Sequence, residues 1–335
     1  MPATNIEWTD RAWPILNGCR RVSPGCENCW AELLTATRLR HHPRYKGLAL
    51  YTEHGPRWTG ERRFATELLE EPLRARKPLR WFVANKGDLL SDEVTDEEIA
   101  ASFVFMAAAG KQTFQVLTKR ARSLATRIPA SPSDAKDWLQ RGLDSLPDDL
   151  KRTAYAALTC QAVSPGALPP WPLRNVWMGM TVEDQPRADE RLEHLGVLAD
   201  AGWLTWCSYE PALGPVNFRP WIKFIRWIVF GGESGRDARP CAMEWALDAY
   251  QACRIAGAAF FFKQGGENAY VENSNLWPAM DDGIDFERMP PAPAGVTAVA
   301  AHGLPLTGKG GDLNEVGLYC PEVCIREWPE VARGA

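Results

Sequence analysis

Residues 79–120, "LRWFVANKGDLLSDEVTDEEIAASFVFMAAAGKQTFQVLTKR", predict a strand, a helix and a second strand in succession. Apolar runs at 79–83 and 112–118 each end in polar residues, as buried strands do. Between them Thr95 is a typical N-cap, acidic residues fill the first helical turn, and Gly110 is the expected C-cap. This succession is typical of a parallel βαβ unit.

The same alternation runs from the N-terminus to about residue 267. Further strands are predicted within residues 13–18, 175–184, 202–211, 225–235 and 258–267. Further helices are predicted at 28–40, 121–128, 186–199 and 243–256. The chain has no phosphate-binding loop and no G-x-G-x-x-G after its first strand. The pattern therefore predicts an α/β fold, a partial or full TIM-like (βα) barrel of about six to seven units.

Three segments interrupt the alternation. Residues 42–78 and 129–172 are expected to be insertions in barrel loops, because they lack the regular spacing of the units around them. Residues 268–318 are rich in Gly, Pro and Ala and predict an irregular C-terminal cover. We therefore expect a barrel domain at 1–267 and an extension at 268–335 packed on the barrel.

Composition limits the class of protein. The chain has 335 residues, 45% of them hydrophobic, a net charge of −4 and an isoelectric point near 5.9. Its overall charge gives no sign of nucleic-acid binding, so such binding would need a local basic patch. It contains no apolar run of roughly 20 residues and no signal-peptide pattern at the N-terminus. The sequence predicts no membrane association and a cytoplasmic location, in which the nine cysteines stay reduced.

Three cysteines, Cys19, Cys26 and Cys29, lie in one segment of eleven residues that also contains Pro and Gly. A disulfide would leave one thiol over, and three inert buried thiols so close together would be unusual. Structural zinc needs four ligands, the fourth of which could come from His41 or His42. A [4Fe–4S] cluster on three thiolates leaves one iron open, and an open iron can chelate S-adenosylmethionine. The spacing favours the cluster and leaves zinc as the alternative.

Polar residues follow six successive predicted strands. They are Lys86 and Asp88; Thr118, Lys119 and Arg120; Thr181, Glu183 and Asp184; Ser208 and Glu210; Gly232, Glu233 and Ser234; and Lys263 and Gln264. The active site of a (βα) barrel lies at the carboxyl ends of its strands. The cysteine segment also follows a predicted strand, so we expect it at the same end.

The chain resembles the phage three-cysteine-motif family of radical S-adenosylmethionine proteins. The resemblance is carried, in order, by "GCRRVSPGCENCWAE", "RWTGERRF", "FVANKGDLL", "TFQVLTKR", "NVWMGMTVEDQPRADERL", "SYEPALGP", "VFGGESGRDARP" and "FFFKQGGE", which together span residues 6–267. It implies a partial TIM-like barrel, a [4Fe–4S] cluster, S-adenosylmethionine and a flavodoxin- or ferredoxin-type reductant. Some relatives are linked to thymidine hypermodification in phage DNA, which implies a nucleotide or DNA carrying a modified thymidine, in the host cytoplasm.

The site residues expected on this basis fall into four groups. The metal ligands are Cys19, Cys26 and Cys29. The cofactor-binding residues are Asp88, Lys86, Thr181, Glu183, Ser208 and Trp30, with Trp30 covering the adenine or the cluster. The catalytic residues are Glu210, Glu233 and Lys119. The substrate-binding residues are Arg120, Ser234, Arg239, Lys263 and Gln264.

The expected reaction is an isomerisation of an amino-acid-modified thymidine by a 5′-deoxyadenosyl radical. In it, hydrogen abstraction from an aminoacyl α-carbon is followed by migration from a nitrogen to a carbon linkage. Glu210 or Glu233 would hold the migrating amine, and Lys119, Arg120 or Arg239 a phosphate or carboxylate. The alternatives are radical repair or another modification of a nucleobase, or a non-catalytic zinc or iron–sulfur module. Cys320 and Cys324 are expected to be structural rather than ligands of a second centre.

Overall fold

The computed structural model describes residues 4–161 and 170–270 and two later strands at 296–300 and 325–329. The strands are β1 (Arg11–Trp13), β2 (Leu16–Gly18), β3 (Ala49–Thr52), β4 (Gly55–Trp58), β5 (Arg63–Phe64), β6 (Arg80–Val83), β7 (Lys86–Gly87), β8 (Thr113–Thr118), β9 (Val176–Thr181), β10 (Leu204–Tyr209), β11 (Trp227–Gly231), β12 (Cys241–Ala242), β13 (Ala259–Gln264), β14 (Ala269–Tyr270), β15 (Val296–Ala300) and β16 (Ile325–Pro329). The α-helices are α1 (Trp30–Ala36), α2 (Asp96–Ala108), α3 (Ala121–Arg127), α4 (Pro132–Asp144), α5 (Asp148–Gln161), α6 (Gln185–Asp200) and α7 (Met243–Ala256).

The main sheet contains seven parallel strands in the order β1-β6-β8-β9-β10-β11-β13, which is also their order along the chain. Helices connect most of them, as parallel neighbours require. This is the strand order of a partial TIM-like barrel, so the predicted fold class is confirmed. No helix within the described ranges is long and apolar enough to cross a bilayer.

The chain divides into two compact units. The first comprises Met1–Gly179 and His194–Leu204, and the second Met180–Glu193 and Thr205–Ala335. The boundary passes through β9 and α6.

In the first unit, α2 is buried along most of its length and packs against α4. Thr95 caps α2 in a full capping box with Glu98, as the sequence predicts. The helix ends at Ala108 with Ala109 as its C-cap, so the prediction that Gly110 caps it was wrong. The predicted insertion at 129–172 contains the two helices α4 and α5, and the one at 42–78 contains the hairpin β3–β4.

The predicted strand at 13–18 is interrupted. Pro14 has no N–H to give to a ladder, and the N–H of Ile15 turns back to the carbonyl of Trp13. As a result β1 belongs to the main sheet beside β6, whereas β2 joins a small sheet of order β5-β2-β7. The cysteine segment therefore follows β2 of the small sheet, whereas the sequence predicts that it follows a strand of the barrel.

The second unit is built on β10, β11 and β13, which are parallel neighbours with almost wholly buried residues. Their aromatic side chains form the core: Trp206 lies against Trp227, and Phe230 stacks on Phe262. The late strand β16 pairs antiparallel with β13, and β15 pairs with β16. Part of the C-terminal segment that the sequence predicts to be irregular thus extends the sheet. Cys320 and Cys324 lie outside the described residues.

Candidate functional site

The cysteine loop, residues 19–29, is preceded by a glycine that no other residue could replace without strain. Gly18 has φ of 96°, and a Cβ there would lie 2.2 Å from the carbonyl oxygen of Glu61. A single 3₁₀ turn, Pro24–Cys26, follows, and Cys29 is the N-cap of α1. All three thiols are free and half-buried on this loop.

The ends of β7 and β8 brace the cysteine loop. Asp88 accepts hydrogen bonds from Thr118 Oγ1 at 2.7 Å and from the backbone N–H of Lys119 at 3.0 Å. Arg120 Nη2 donates to the carbonyl of Arg20, inside the loop, at 3.1 Å. Arg120 Nη1 is buried and has no hydrogen-bond partner among the described residues. The strand ends named from the sequence therefore meet the cysteine loop within the first unit.

The three thiols differ electrostatically. Burial raises the pKa of Cys19 to about 12, with the nearby Asp88 carboxylate adding to the effect. Burial also raises the pKa of Cys29. Burial acts in the same direction on Cys26, but the charge of Lys119 and hydrogen bonds from the loop backbone outweigh it, so the pKa of Cys26 is lowered. Cys26 and Cys29 both add to the raised pKa of Cys19, and Cys26 adds to that of Cys29, which indicates that their negative charges would interact.

A buried carboxylate that the sequence did not single out holds the loop from the other side. Glu32 on α1 is fully buried, and its Oε2 accepts from Arg21 Nε at 2.9 Å, with a further bond from Arg21 Nη2. Its Oε1 accepts from the backbone N–H of Trp58 at 2.6 Å, and Arg21 Nη2 also donates to the carbonyl of Pro56. We call Arg21 and Glu32 the clamp, because they join the cysteine loop, α1 and β4.

The donor set of the loop fits an iron–sulfur cluster. In the described part of the chain no three His, Cys, Asp or Glu side chains gather closely enough to hold one metal ion. A [4Fe–4S] cluster places its thiolates on different irons, so its ligands need not converge on one point. His41 Nε2 accepts a hydrogen bond from Arg40, and His42 Nδ1 accepts one from the backbone N–H of Arg44. Each of these two nitrogens is thus bonded to a residue outside the cysteine loop.

Two other residues expected at the cofactor lie in the first unit. Lys86 on β7 is half-buried, with Nζ 5.6 Å from the ring centre of Tyr45, and burial lowers its pKa. Trp30 follows Cys29 at the start of α1, and about half of its surface is exposed. The indole is therefore available to a ligand, whereas Lys86 lies over a protein ring.

In the second unit, Ser208, Glu210 and Lys263 come together at the ends of β10 and β13. Lys263 Nζ lies 2.6 Å from Glu210 Oε1, and Ser208 Oγ donates to Glu210 Oε2 at 3.2 Å. Gly231 lies so close that a Cβ there would be 3.0 Å from Glu210 Oε1. A small residue at Gly231 thus makes room for the carboxylate, and three predicted site residues form one polar group.

Glu183 has a structural partner that the sequence did not reveal. Both its carboxylate oxygens accept from Arg191 Nη1, at 3.3 and 3.2 Å, and both side chains are buried. Arg191 also donates to the carbonyl of Thr181 at 2.8 Å. A buried ion pair needs both of its members, so Glu183 and Arg191 hold the end of β9 against α6.

Glu233 is also engaged within the protein. Its Oε2 accepts from the backbone N–H and the Nε of Arg239, and its Oε1 from Arg239 Nη2. Gln264 donates to the carbonyl of Gly232, whereas Ser234 is exposed. Glu233 and Arg239 therefore fix the loop after β11, and the sequence had assigned one to catalysis and the other to substrate.

Comparisons with known proteins found similar solved structures and one family model. Solved structures of mutants of spore photoproduct lyase are 11 to 12% identical to the chain, with TM-scores of 0.33 to 0.35. They cover 73 to 77% of this chain and 51 to 54% of their own, so the chain spans about half of their length. Among curated proteins, no match was found. Residues 3–300 match the family model described as "Protein of unknown function (DUF5131)", and the chain therefore belongs to that family.

Proposed function

We propose that the protein is a radical S-adenosylmethionine enzyme with a [4Fe–4S] cluster on Cys19, Cys26 and Cys29. One observation carries the proposal: three free thiols share one loop, and polar contacts from Arg120 and from the clamp fix the loop on two sides. Three thiolates leave one iron for the cofactor. When bound, the cluster and S-adenosylmethionine supply a 5′-deoxyadenosyl radical, with an electron from a flavodoxin- or ferredoxin-type reductant.

The residues around the loop suit this role. Lys119 and Arg21 place positive charge near the thiols, which stabilises the thiolate form that ligates metal. The buried Arg120 Nη1 offers a hydrogen bond that no described protein group takes up, so it suits an anionic group of the cofactor or substrate. The exposed indole of Trp30 offers a flat apolar face to an adenine.

We further propose that the substrate is an amino-acid-modified thymidine and that the reaction is an isomerisation. Glu210 is the residue best suited to hold the migrating amine, because its carboxylate already binds an ammonium group, that of Lys263. Glu233 is less suited, because three donors of Arg239 occupy its carboxylate. Of the two catalytic carboxylates expected from the sequence, we assign the amine to Glu210 and a loop-holding role to Glu233.

The test is anaerobic reconstitution with iron and sulfide, followed by reduction in the presence of S-adenosylmethionine. We expect a brown protein that releases 5′-deoxyadenosine, and loss of both properties in Cys19→Ala, Cys26→Ala and Cys29→Ala. A colourless protein that binds zinc and leaves the cofactor intact would contradict the proposal. Retained iron and full cleavage in any one of the three variants would contradict the ligand assignment.

The substrate assignment needs a separate measurement. DNA carrying an amino-acid-modified thymidine is incubated with the reconstituted enzyme, and its nucleosides are separated by chromatography and weighed. An isomer changes retention time without changing mass. We expect Glu210→Gln to cleave S-adenosylmethionine but to give no isomer, and the exposed Glu267→Gln to behave as the wild type. Equal isomer yield in Glu210→Gln would exclude the amine-binding role.

A further inference from the structure

The segment that follows α1, residues 37–64, has a charge opposite to that of the chain. It contains seven Arg and Lys residues and two Glu residues, and three of the five histidines, although the whole chain has a net charge of −4. We call it the basic insertion. Six of its seven cations are arginines, whose planar guanidinium groups match phosphate oxygens in pairs.

Most of this charge is not neutralised by acidic side chains. Within the described residues, Arg44 pairs with Glu67 and Arg62 with Glu98, and the other five cations form no ion pair. Four of those five are exposed, namely Arg38, Arg40, Lys46 and Arg63. Positive charge that is exposed and unpaired is available to an anionic partner.

The basic insertion is a folded scaffold rather than a loose loop. Its hairpin β3–β4 is fully paired and packs against α1. Arg63 donates to the carbonyls of Pro43 and Lys46, and thereby ties the first turn of the insertion to its last strand, β5. The exposed cations therefore stand on a backbone with fixed geometry.

Large apolar side chains are also exposed on α1 and on the hairpin. Trp30 and Leu33 lie one turn apart on α1, and Leu50 and Tyr51 are consecutive on β3, with exposed fractions of 47 to 65%. Aromatic faces stack on unpaired bases of any sequence, and such stacking combined with positive charge is typical of single-strand binding surfaces.

The basic insertion is attached to the cysteine loop. The clamp bonds to the backbone of Pro56 and Trp58 on β4 and, through Arg21, belongs to the loop itself. A partner bound on the insertion would thus be held beside the thiols.

We propose that the basic insertion binds the phosphate backbone of a nucleic-acid strand. This inference rests on the proposed function and deepens it, because it makes the substrate a polymer rather than a free nucleotide. Arginine guanidiniums combined with exposed aromatic rings favour a nucleic acid over an acidic protein, which offers carboxylates but no bases to stack.

The experiment measures binding of a fluorescent single-stranded oligonucleotide by anisotropy over a range of salt concentrations. The test variant combines Arg38→Gln, Arg40→Gln and Lys46→Gln. The matched control combines Lys111→Gln, Lys136→Gln and Arg174→Gln, which removes the same charge from exposed positions outside the insertion. For single strands the salt slope changes by about 0.7 per phosphate contact, so the test variant should lose about 2 units of slope and roughly ten- to a hundred-fold in affinity. The control should bind like the wild type.

Equal binding by the test variant and the control would overturn the proposal. So would unchanged oligonucleotide binding with slower reduction by an acidic flavodoxin, since the insertion would then be a protein-docking surface. Binding is measured without reductant or cofactor, whereas cleavage of S-adenosylmethionine is measured without DNA. Loss of binding with intact cleavage therefore supports this inference, and binding without any cleavage would refute only the proposed function.

Discussion

At the scale of single residues, Cys26 is distinguished from Cys19 and Cys29 by a pKa lowered rather than raised. A lower pKa means a larger thiolate fraction near neutral pH, and the thiolate is the form that reacts with alkylating agents. In the metal-free protein we expect iodoacetamide to modify Cys26 before Cys19 and Cys29 between about pH 7 and 8. Mass spectrometry of proteolytic peptides over time measures the order.

Lys119→Gln isolates the cause of this difference. Removing the charge should raise the pKa of Cys26 and slow its alkylation several-fold at neutral pH, with the effect vanishing once the pH exceeds both pKa values. Lys111→Gln, which removes an exposed charge elsewhere in the unit, should leave the rate unchanged. If Cys19 or Cys29 reacts first, the account of the loop electrostatics is wrong.

The clamp gives a second prediction at this scale. Glu32→Gln removes the negative charge opposite Arg21 in a buried site, and breaking such a pair costs on the order of 3 kcal/mol. Urea unfolding should show a loss of this size. Glu70→Gln breaks a solvent-exposed pair with Arg74 and should cost less than about 1 kcal/mol. Equal effects of the two substitutions would mean that the clamp contributes no more than a surface ion pair.

Whether a residue of the candidate site could be predicted from the sequence depends on how far apart in the sequence its contacts lie. Asp88, Lys119 and Arg120 follow apolar runs, so the rule for strand ends located them. Glu32 and Arg21 follow no such rule, because the hydrogen bond that links the clamp to β4 joins Glu32 to Trp58, 26 residues away. The only feature of the sequence that could have pointed to Glu32 is that it is the single charged residue of α1.

At the scale of secondary-structure elements, the packing of α2 on α4 depends on one glycine. A Cβ on Gly142 of α4 would lie 2.5 Å from the backbone carbon of Ala100 on α2. Gly142→Ala must push the helices apart, and overpacking of this kind costs about 1–3 kcal/mol. Thermal unfolding should show the loss, even though alanine favours helix more than glycine does.

Gly214→Ala is the matched substitution. Its Cβ would lie 3.5 Å from Asp184, an ordinary contact, so we expect little change in melting temperature. A Gly142→Ala protein as stable as the wild type would show that the two helices do not need this close approach.

Element boundaries were predictable where local chemistry sets them. The Thr95 capping box begins α2, and helix 243–256 was predicted with the bounds that α7 has. The sequence predicts one strand at residues 13–18, because the residues around Pro14 are apolar. In the structure the chain divides at Pro14 into β1 and β2. Whether such a proline ends a strand depends on which strands the residues after it pair with. Here β2 pairs with β5 and β7 rather than with β6.

At the scale of the whole molecule, the regular alternation of strand and helix was sufficient to predict the fold class. Seven parallel strands in chain order follow from it, because short helical connections favour neighbouring parallel strands. The pairing of β16 with β13 joins Phe261 to Arg326, and no local pattern predicts a contact over that distance in sequence.

The central claim is that three thiolates hold a cluster with one open iron. The most direct measurement is low-temperature EPR of the reconstituted, reduced protein before and after S-adenosylmethionine is added. The account predicts the signal of a reduced [4Fe–4S] cluster, and a change in that signal when the cofactor binds the open iron. A protein that gives no cluster signal with all three cysteines present, or one whose signal is the same with and without the cofactor, would contradict it.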